Sequence, residues 1–302
     1  MNAIEIRNLT KSFGSKRAVD GLNLTVPQGA IYGFIGENGS GKSTTEKLVC
    51  GLLHQSGGSI RLFGQPHTDP AVREKVGVLI EAPGCFGNLP VWDNLMVHAT
   101  NLGLRNREQE VSRVLKAVRM EGAASNKFKN CSLGMKQRIG IAMALMGSPK
   151  LLVLDEPVNG LDADGMRILR EILTNAVQND GCTVLISSHI LGELEKIATH
   201  YGIIRNGRLL KEMTAAELER DCPTFTAVKT PDMARTKELL SQRYGQIRTD
   251  ERGRLRIYDA AAPQEVAAYL YRCGVPVREL SSNKIGLEEY YTNLMRQGGI
   301  TA

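Results

Sequence analysis

The stretch "GENGSGKS", Gly36 to Ser43, constrains this chain more than any other. It follows a strand-like apolar run, "AIYGFIG" (30–36), and opens a helix-like run, "KSTTEKLVCGLL" (42–53). The spacing G-x-x-x-x-G-K-S between a strand and a helix is that of a phosphate-cradling loop. Glycines there let main-chain N–H groups turn onto oxyanions with no side chain in the way. The helix N-terminus adds its partial positive charge. The expected nucleotide contacts are Gly36, Asn38, Gly39, Ser40, Gly41, Lys42, Ser43 and Thr44. Lys42 reaches the β- and γ-phosphates and also acts catalytically, and the Ser43 hydroxyl faces Mg²⁺. A nucleoside triphosphate site is the expectation.

Two further runs, "KLLVLDEP" (150–157) and "CTVLISSH" (182–189), are the near-continuous apolar strands of a sheet covered on both faces. A helical run, "GMRILREILTNAVQND" (165–180), separates them and stops at Gly181. Alternation of this kind predicts a largely parallel α/β sheet. Ligands bind such sheets beyond the carboxyl ends of the strands. There the chain places Asp155, a candidate Mg²⁺ ligand, and Glu156, a candidate general base for the attacking water. His189, at the tip of the next strand, is a candidate to hold that water or the γ-phosphate.

Composition excludes several classes. Cysteines number six, scattered without a CxxC pair, and the five histidines share no metal-ligand spacing, so neither a zinc site nor a disulfide framework is expected. A net charge of +6 suits an acidic partner. With no long Lys/Arg run, one Trp and six Phe, specific nucleic-acid binding is not expected. The longest apolar runs, such as "IGIAMALM" (139–146), fall short of a membrane span. The N-terminal charges do not suit a signal peptide, so a cytosolic chain is expected.

Residues 87–147 are dominated by helical patterns such as "VWDNLMVHATNLGL" and "REQEVSRVLKAVRM", read as a helical subdomain inserted into the sheet. The nucleotide-binding domain is placed at 1–218 and a second domain at 221–302. The second domain, with "TFTAVKT", "GRLRIYD", "PQEVAAYLYRCG" and "VPVREL", reads as a small ferredoxin-like β-α-β-β-α-β unit with a terminal helix.

The segment "CSLGMKQRIGIAMALMGSPKLLVLDEPVNGLD" (131–162) resembles the ATPase subunit of ABC transporters. The overall expectation is therefore an α/β P-loop NTPase fold of ABC type. The resemblance implies a head-to-tail dimer enclosing two ATP molecules. Ser132, Gly134 and Gln137 belong to its signature and would meet nucleotide held by the other subunit, although "SLGMKQ" departs from the commoner serine-glycine-glycine form. Asp162 would link the two sites, and Phe13 matches the aromatic that stacks on adenine.

In "VGVLIEAPGCF" the family's usual glutamine after the strand is replaced by Glu81. The resemblance implies that Glu81 meets Mg²⁺ and opens the loop toward a membrane partner. The loop around it is similar to that of bacitracin and lantibiotic export and self-protection ATPases. The expected function is an ATPase at the cytoplasmic face of the membrane that powers a separately encoded transmembrane permease, with a second ATPase subunit as partner. A soluble ABC-type ATPase acting on ribosomes or nucleic acid is the alternative.

Overall fold

The computed structural model describes residues 1–258 and 262–297. Two compact units make up the chain, Met1–Ala215 and Ala216–Ala302. The division falls just before the composition break at 218–221. Residues 259–261 and 298–302 of the expected second domain lie outside the described residues.

The first unit begins with strands β1 (Asn2–Phe13), β2 (Lys16–Pro27) and β3 (Ile31–Ile35), then helix α1 (Lys42–Val49). Strands β4 (Gly57–Leu62) and β5 (Gln65–Pro66), helix α2 (Pro70–Arg73) and strand β6 (Val76–Leu79) follow. Three helices occupy the next stretch: α3 (Val91–Asn101), α4 (Arg107–Ala117) and α5 (Leu133–Leu145). The unit closes with β7 (Leu151–Leu154), α6 (Ala163–Gln178), β8 (Thr183–Ser187), α7 (Leu191–Leu194), β9 (His200–Arg205) and β10 (Arg208–Thr214).

A six-stranded sheet runs β10-β9-β3-β8-β7-β6, parallel except at the β9–β10 edge. Every residue of β3, β7 and β8 is buried. Their unbroken apolar runs follow from that, because a strand covered on both faces has no side for polar residues. A second, antiparallel sheet, β2-β1-β4-β5, is built from the N-terminal segments. Ile4, Ile6 and Leu24 from it share one apolar cluster with Tyr32, Phe34, Leu151 and Val153 of the parallel sheet and with Leu48 of α1. Each such side chain, fully buried, contributes about 1.5–3 kcal/mol. This cluster fixes α1, and with it the phosphate loop, against the sheet.

Helix α1 ends at Val49, short of the apolar run to residue 53. Gly51, at φ +68°, takes the left-handed conformation that ends helices. In β6, a Cβ on Gly77 would lie 1.9 Å from the Ala144 carbonyl oxygen. The strand therefore touches the backbone of α5, and only glycine permits it.

The second unit contains helix α8 (Ala215–Asp221), which straddles the division, then β11 (Thr224–Lys229), α9 (Met233–Ser241), β12 (Ile247–Thr249) and β13 (Leu255–Ile257). Helix α10 (Pro263–Arg272), strand β14 (Glu279–Lys284) and helix α11 (Leu287–Gln297) complete it. The sheet runs β12-β13-β11-β14, antiparallel throughout. Val228, Leu255 and Ile257 pack with Leu240 of α9 and Val266 and Leu270 of α10. The last strand is "ELSSNK", not the apolar "VPVREL". Pro276 has no N–H to give a ladder, Val275 turns into the core, and pairing starts only at Lys229 with Glu279.

Candidate active site

The site forms where β3, β7 and β8 end. Register decides which residues meet. Leu154 pairs with Ile186, so Asp155 and Ser187, one step further, stand level. Phe34 pairs with Ser187 on the other side, bringing the loop after β3 alongside. Leu79 pairs with Leu154 and draws Ile80 and Glu81 to the same edge.

The loop Gly36–Gly41 is shaped by its glycines. Gly41 caps α1 at φ +111°, and a Cβ there would sit 2.6 Å from the Ala18 carbonyl oxygen. A Cβ on Gly36 would sit 2.5 Å from Ser40 Oγ. Lys42 is buried and folds back over the loop. Its Nζ donates to the Gly36 carbonyl at 2.6 Å and the Glu37 carbonyl at 3.2 Å. Glu156 Oε1 is 3.9 Å from the same ammonium. Ser40 Oγ is buried beneath the loop and makes no hydrogen bond within the described residues.

Glu156 follows β7 in a left-handed conformation, φ +49°, which a non-glycine residue adopts only when its surroundings hold it there. Its main-chain N–H donates to Ser187 Oγ at 3.1 Å. Its Oε2 accepts from the His189 main-chain N–H at 3.1 Å and lies 2.7 Å from His189 Nδ1. The carboxylate is thus gripped on one oxygen while the other faces Lys42. Ser187 Oγ in turn donates to Asp155 Oδ1 at 2.9 Å.

A cavity of about 510 Å³ opens over these groups, lined by Asn38, Gly39, Gly41, Lys42, Ser43, Thr44, Glu81, Gln137, Asp155 and Glu156. That size takes a nucleotide. Among the described residues no group of three or more His, Cys, Asp or Glu could hold a metal alone. Asp155 and the Ser43 hydroxyl offer hard oxygens, the donor set of Mg²⁺ shared with phosphates. The residues present therefore fit both groups.

Glu81 and Gln137 line this cavity, whereas Phe13, Gly36, Ser40, Ser132, Gly134, Asp162 and His189 do not. Phe13 is half exposed at the end of β1, its ring 4.9 Å from Lys11 Nζ, and the cavity wall on that side is Lys16 and Ala18. Glu81, at φ +62°, is exposed at the rim, and its Oε1 pairs with Lys47 Nζ at 2.5 Å. Ser132 caps α5, its Oγ accepting from the Met135 N–H at 3.2 Å. A Cβ on Gly134 would lie 2.8 Å from the Gly160 carbonyl oxygen, so α5 begins against the loop after Glu156. Gln137 Nε2 donates to the Glu156 carbonyl at 3.4 Å. Asp162 caps α6, its Oδ1 accepting from the Gly165 N–H at 2.8 Å.

Sequence reading passed over Glu46, Lys47 and Ser187. Glu46 is fully buried on α1 with neither carboxylate oxygen hydrogen-bonded to a donor. Burial and the neighbouring Asp155 push its carboxyl well above the usual carboxylate range. The signal was its place one helical turn after Lys42, on the inward face of α1.

The ABC transporter family model matches residues 19–159. The bacitracin transport ATP-binding protein BcrA of Enterococcus faecalis is 36% identical over 301 residues, 98% of this chain and 97% of that protein. The lantibiotic transport ATP-binding protein SrtF of Streptococcus pyogenes is 42% identical over 209 residues, 69% of this chain and 90% of that protein. Among solved structures, an ATP-binding subunit of an ABC transporter superposes with a TM-score of 0.66 at 28% identity, covering 72% of this chain and 92% of that one. The phosphate loop, the acidic strand end and relatives spanning nearly the whole chain lead to one conclusion: the chain belongs to the ATP-binding subunits of ABC transporters, and it is an ATP hydrolase.

Proposed function

We propose that this ATPase powers the export of a peptide antibiotic or a similar amphiphile through a separately encoded membrane permease. The observation carrying this reading is the match to BcrA, which runs through both units of the chain. Among the described residues no helix is long and apolar enough to cross a membrane. In this reading a partner permease supplies the membrane path, and the ATPase works at the cytoplasmic face beside it.

The chemistry follows from the gripped carboxylate. Lys42 and the main-chain N–H groups of the loop hold the phosphates in line for attack. Glu156 takes a proton from the attacking water, and His189 keeps its carboxylate oriented for that step. Ser43 and Asp155 would hold Mg²⁺, which would supply charge neutralisation at the phosphates. Ser132, Gly134 and Gln137 would close a second subunit's site, with Asp162 coupling the two. Phe13 would come over adenine from the cavity's outer side. Glu81 and its loop would carry the motion to the permease.

A mild-detergent pull-down of the tagged chain from native membranes tests this. A stoichiometric polytopic membrane protein is the expected co-purifying chain. Recovery only with ribosomes or nucleic acid would overturn the reading in favour of a soluble ABC-type ATPase.

A further inference from the structure

A hairpin tip ordinarily lies in solvent, and the β9–β10 tip does not. Asn206 and Gly207 form a two-residue turn between the paired Arg205 and Arg208, with φ +50° and +76°. That is the type I′ geometry, which matches the twist of the strands it joins. Gly207 is nevertheless buried. Its N–H donates to the Ser40 carbonyl of the phosphate loop at 2.8 Å, and its own carbonyl accepts from the Asp20 N–H of β2 at 2.9 Å. A Cβ on Gly207 would lie 2.8 Å from the Ala18 carbonyl oxygen and 3.0 Å from Val19 Cα. Arg208 closes the outer side, its Nε and Nη2 donating to Asp20 Oδ2 at 2.9 and 2.7 Å. The turn thus hooks the phosphate loop to the β1–β2 ribbon, whose Lys16 and Ala18 wall the cavity.

The hook has a direction. The Ser40 carbonyl and the Gly41 N–H belong to one planar trans peptide, so they point opposite ways. Holding the carbonyl against Gly207 turns the Gly41 N–H away from the turn, and Gly41 lines the cavity. The chain also carries its own comparison. Phe63 and Gly64 form a turn of the same kind between β4 and β5, with φ +50° and +79°. Gly64 is exposed, and a Cβ there would meet nothing within 4 Å. One backbone conformation therefore serves once as a plain turn and once beneath the phosphate loop. We propose that Gly207 is a positioning residue for nucleotide binding: its N–H holds the Ser40 carbonyl so that the Gly41 N–H is aimed at the phosphates, and its carbonyl ties the same turn to the ribbon on the cavity's other side. The inference rests on the reading of Gly36 to Thr44 as the phosphate site.

The test compares Gly207→Ala with Gly64→Ala in the full chain, by calorimetric titration with ADP and by phosphorus NMR of the bound nucleotide. Both variants place a side chain at a left-handed residue, so both should lower the melting temperature. Only G207A should weaken ADP binding, by about tenfold or more, the loss expected for one misaimed hydrogen bond to a charged group. Its bound-phosphate resonances should move, while those of G64A stay with wild type. G207A binding ADP like wild type with unmoved resonances would overturn the inference. G64A weakening ADP as far as G207A would overturn it too, because the effect would then be general destabilisation. Lys42→Ala separates the underlying reading: a K42A chain binding ADP like wild type would remove the phosphate site and the inference with it. Should G207A fail to fold, Arg208→Ala opens the exposed clamp on Asp20 instead. Weakening of about twofold to fivefold then supports the inference and unchanged affinity overturns it.

Discussion

Lys47 Nζ and Glu81 Oε1 lie 2.5 Å apart and tie α1, the helix that opens at the phosphate loop, to the loop after β6. Both side chains reach solvent, so the pair contributes only about 0–1 kcal/mol. Its importance is geometric, since it holds the Glu81 loop against the element that binds phosphate. With the permease present, Glu81→Ala should reduce transport far more than basal ATP hydrolysis, and Lys47→Ala should follow it. Parallel assays on reconstituted vesicles check this. Equal loss of transport and hydrolysis would assign Glu81 to the metal instead.

Glu156→Gln should lower kcat for ATP hydrolysis by about 10²–10⁴-fold while nucleotide affinity stays within a few-fold. His189→Ala should lower it less, because the His189 main-chain N–H still grips Oε2 at 3.1 Å. Steady-state kinetics beside equilibrium nucleotide binding separate the two effects.

Gly77→Ala should destabilise the first unit by about 1–3 kcal/mol. The new methyl group would have to displace the Ala144 backbone of α5, 1.9 Å from where it would sit. A fall in melting temperature, with no loss at the neighbouring position Val78→Ala beyond that of an ordinary truncation, is the expected pattern.

His98 and His67 give the first unit a defined pH response. Burial holds both imidazoles below the usual histidine value, with hydrogen bonding to the Met143 and Ile60 carbonyls opposing it. Their neutral forms are favoured by folding. The stability they contribute is fully present above about pH 6.5 and is lost as pH falls through their lower folded values. Denaturation followed from about pH 7.5 to 5.5 should show that decline, and His98→Gln should flatten it.

Burial just before β8 makes Cys182 a poor nucleophile, its thiol pushed up to about 11. In native protein near pH 8 its alkylation by iodoacetamide should be negligible, and it should become fast on unfolding. Peptide mapping after a short pulse reads this directly.

Much of the fold could be read along the chain. The runs in β3, β7 and β8 are apolar without interruption because each strand is buried on both faces. The helix containing Arg167 to Glu171 shows its inward stripe in Ile168, Leu169, Ile172 and Leu173. Strand β14 was illegible, since its polar "ELSSNK" is recruited by pairing with β11 rather than by its own pattern. The antiparallel N-terminal sheet was equally hidden, because its long, bulged strands keep no regular alternation.

The sequence alone determined the phosphate loop, since Gly36 to Ser43 are adjacent and their spacing is itself the geometry. It also determined which carboxylates end the next strands. Only the tertiary structure decided that Ser187 would clamp Asp155, that His189 would grip Glu156, and that Lys47 would claim Glu81. It alone sealed Glu46 in the interior of the first unit. The physical reason is register. A parallel ladder brings residues some thirty positions apart level with one another, and strand order, which no local pattern encodes, chooses which strands those are.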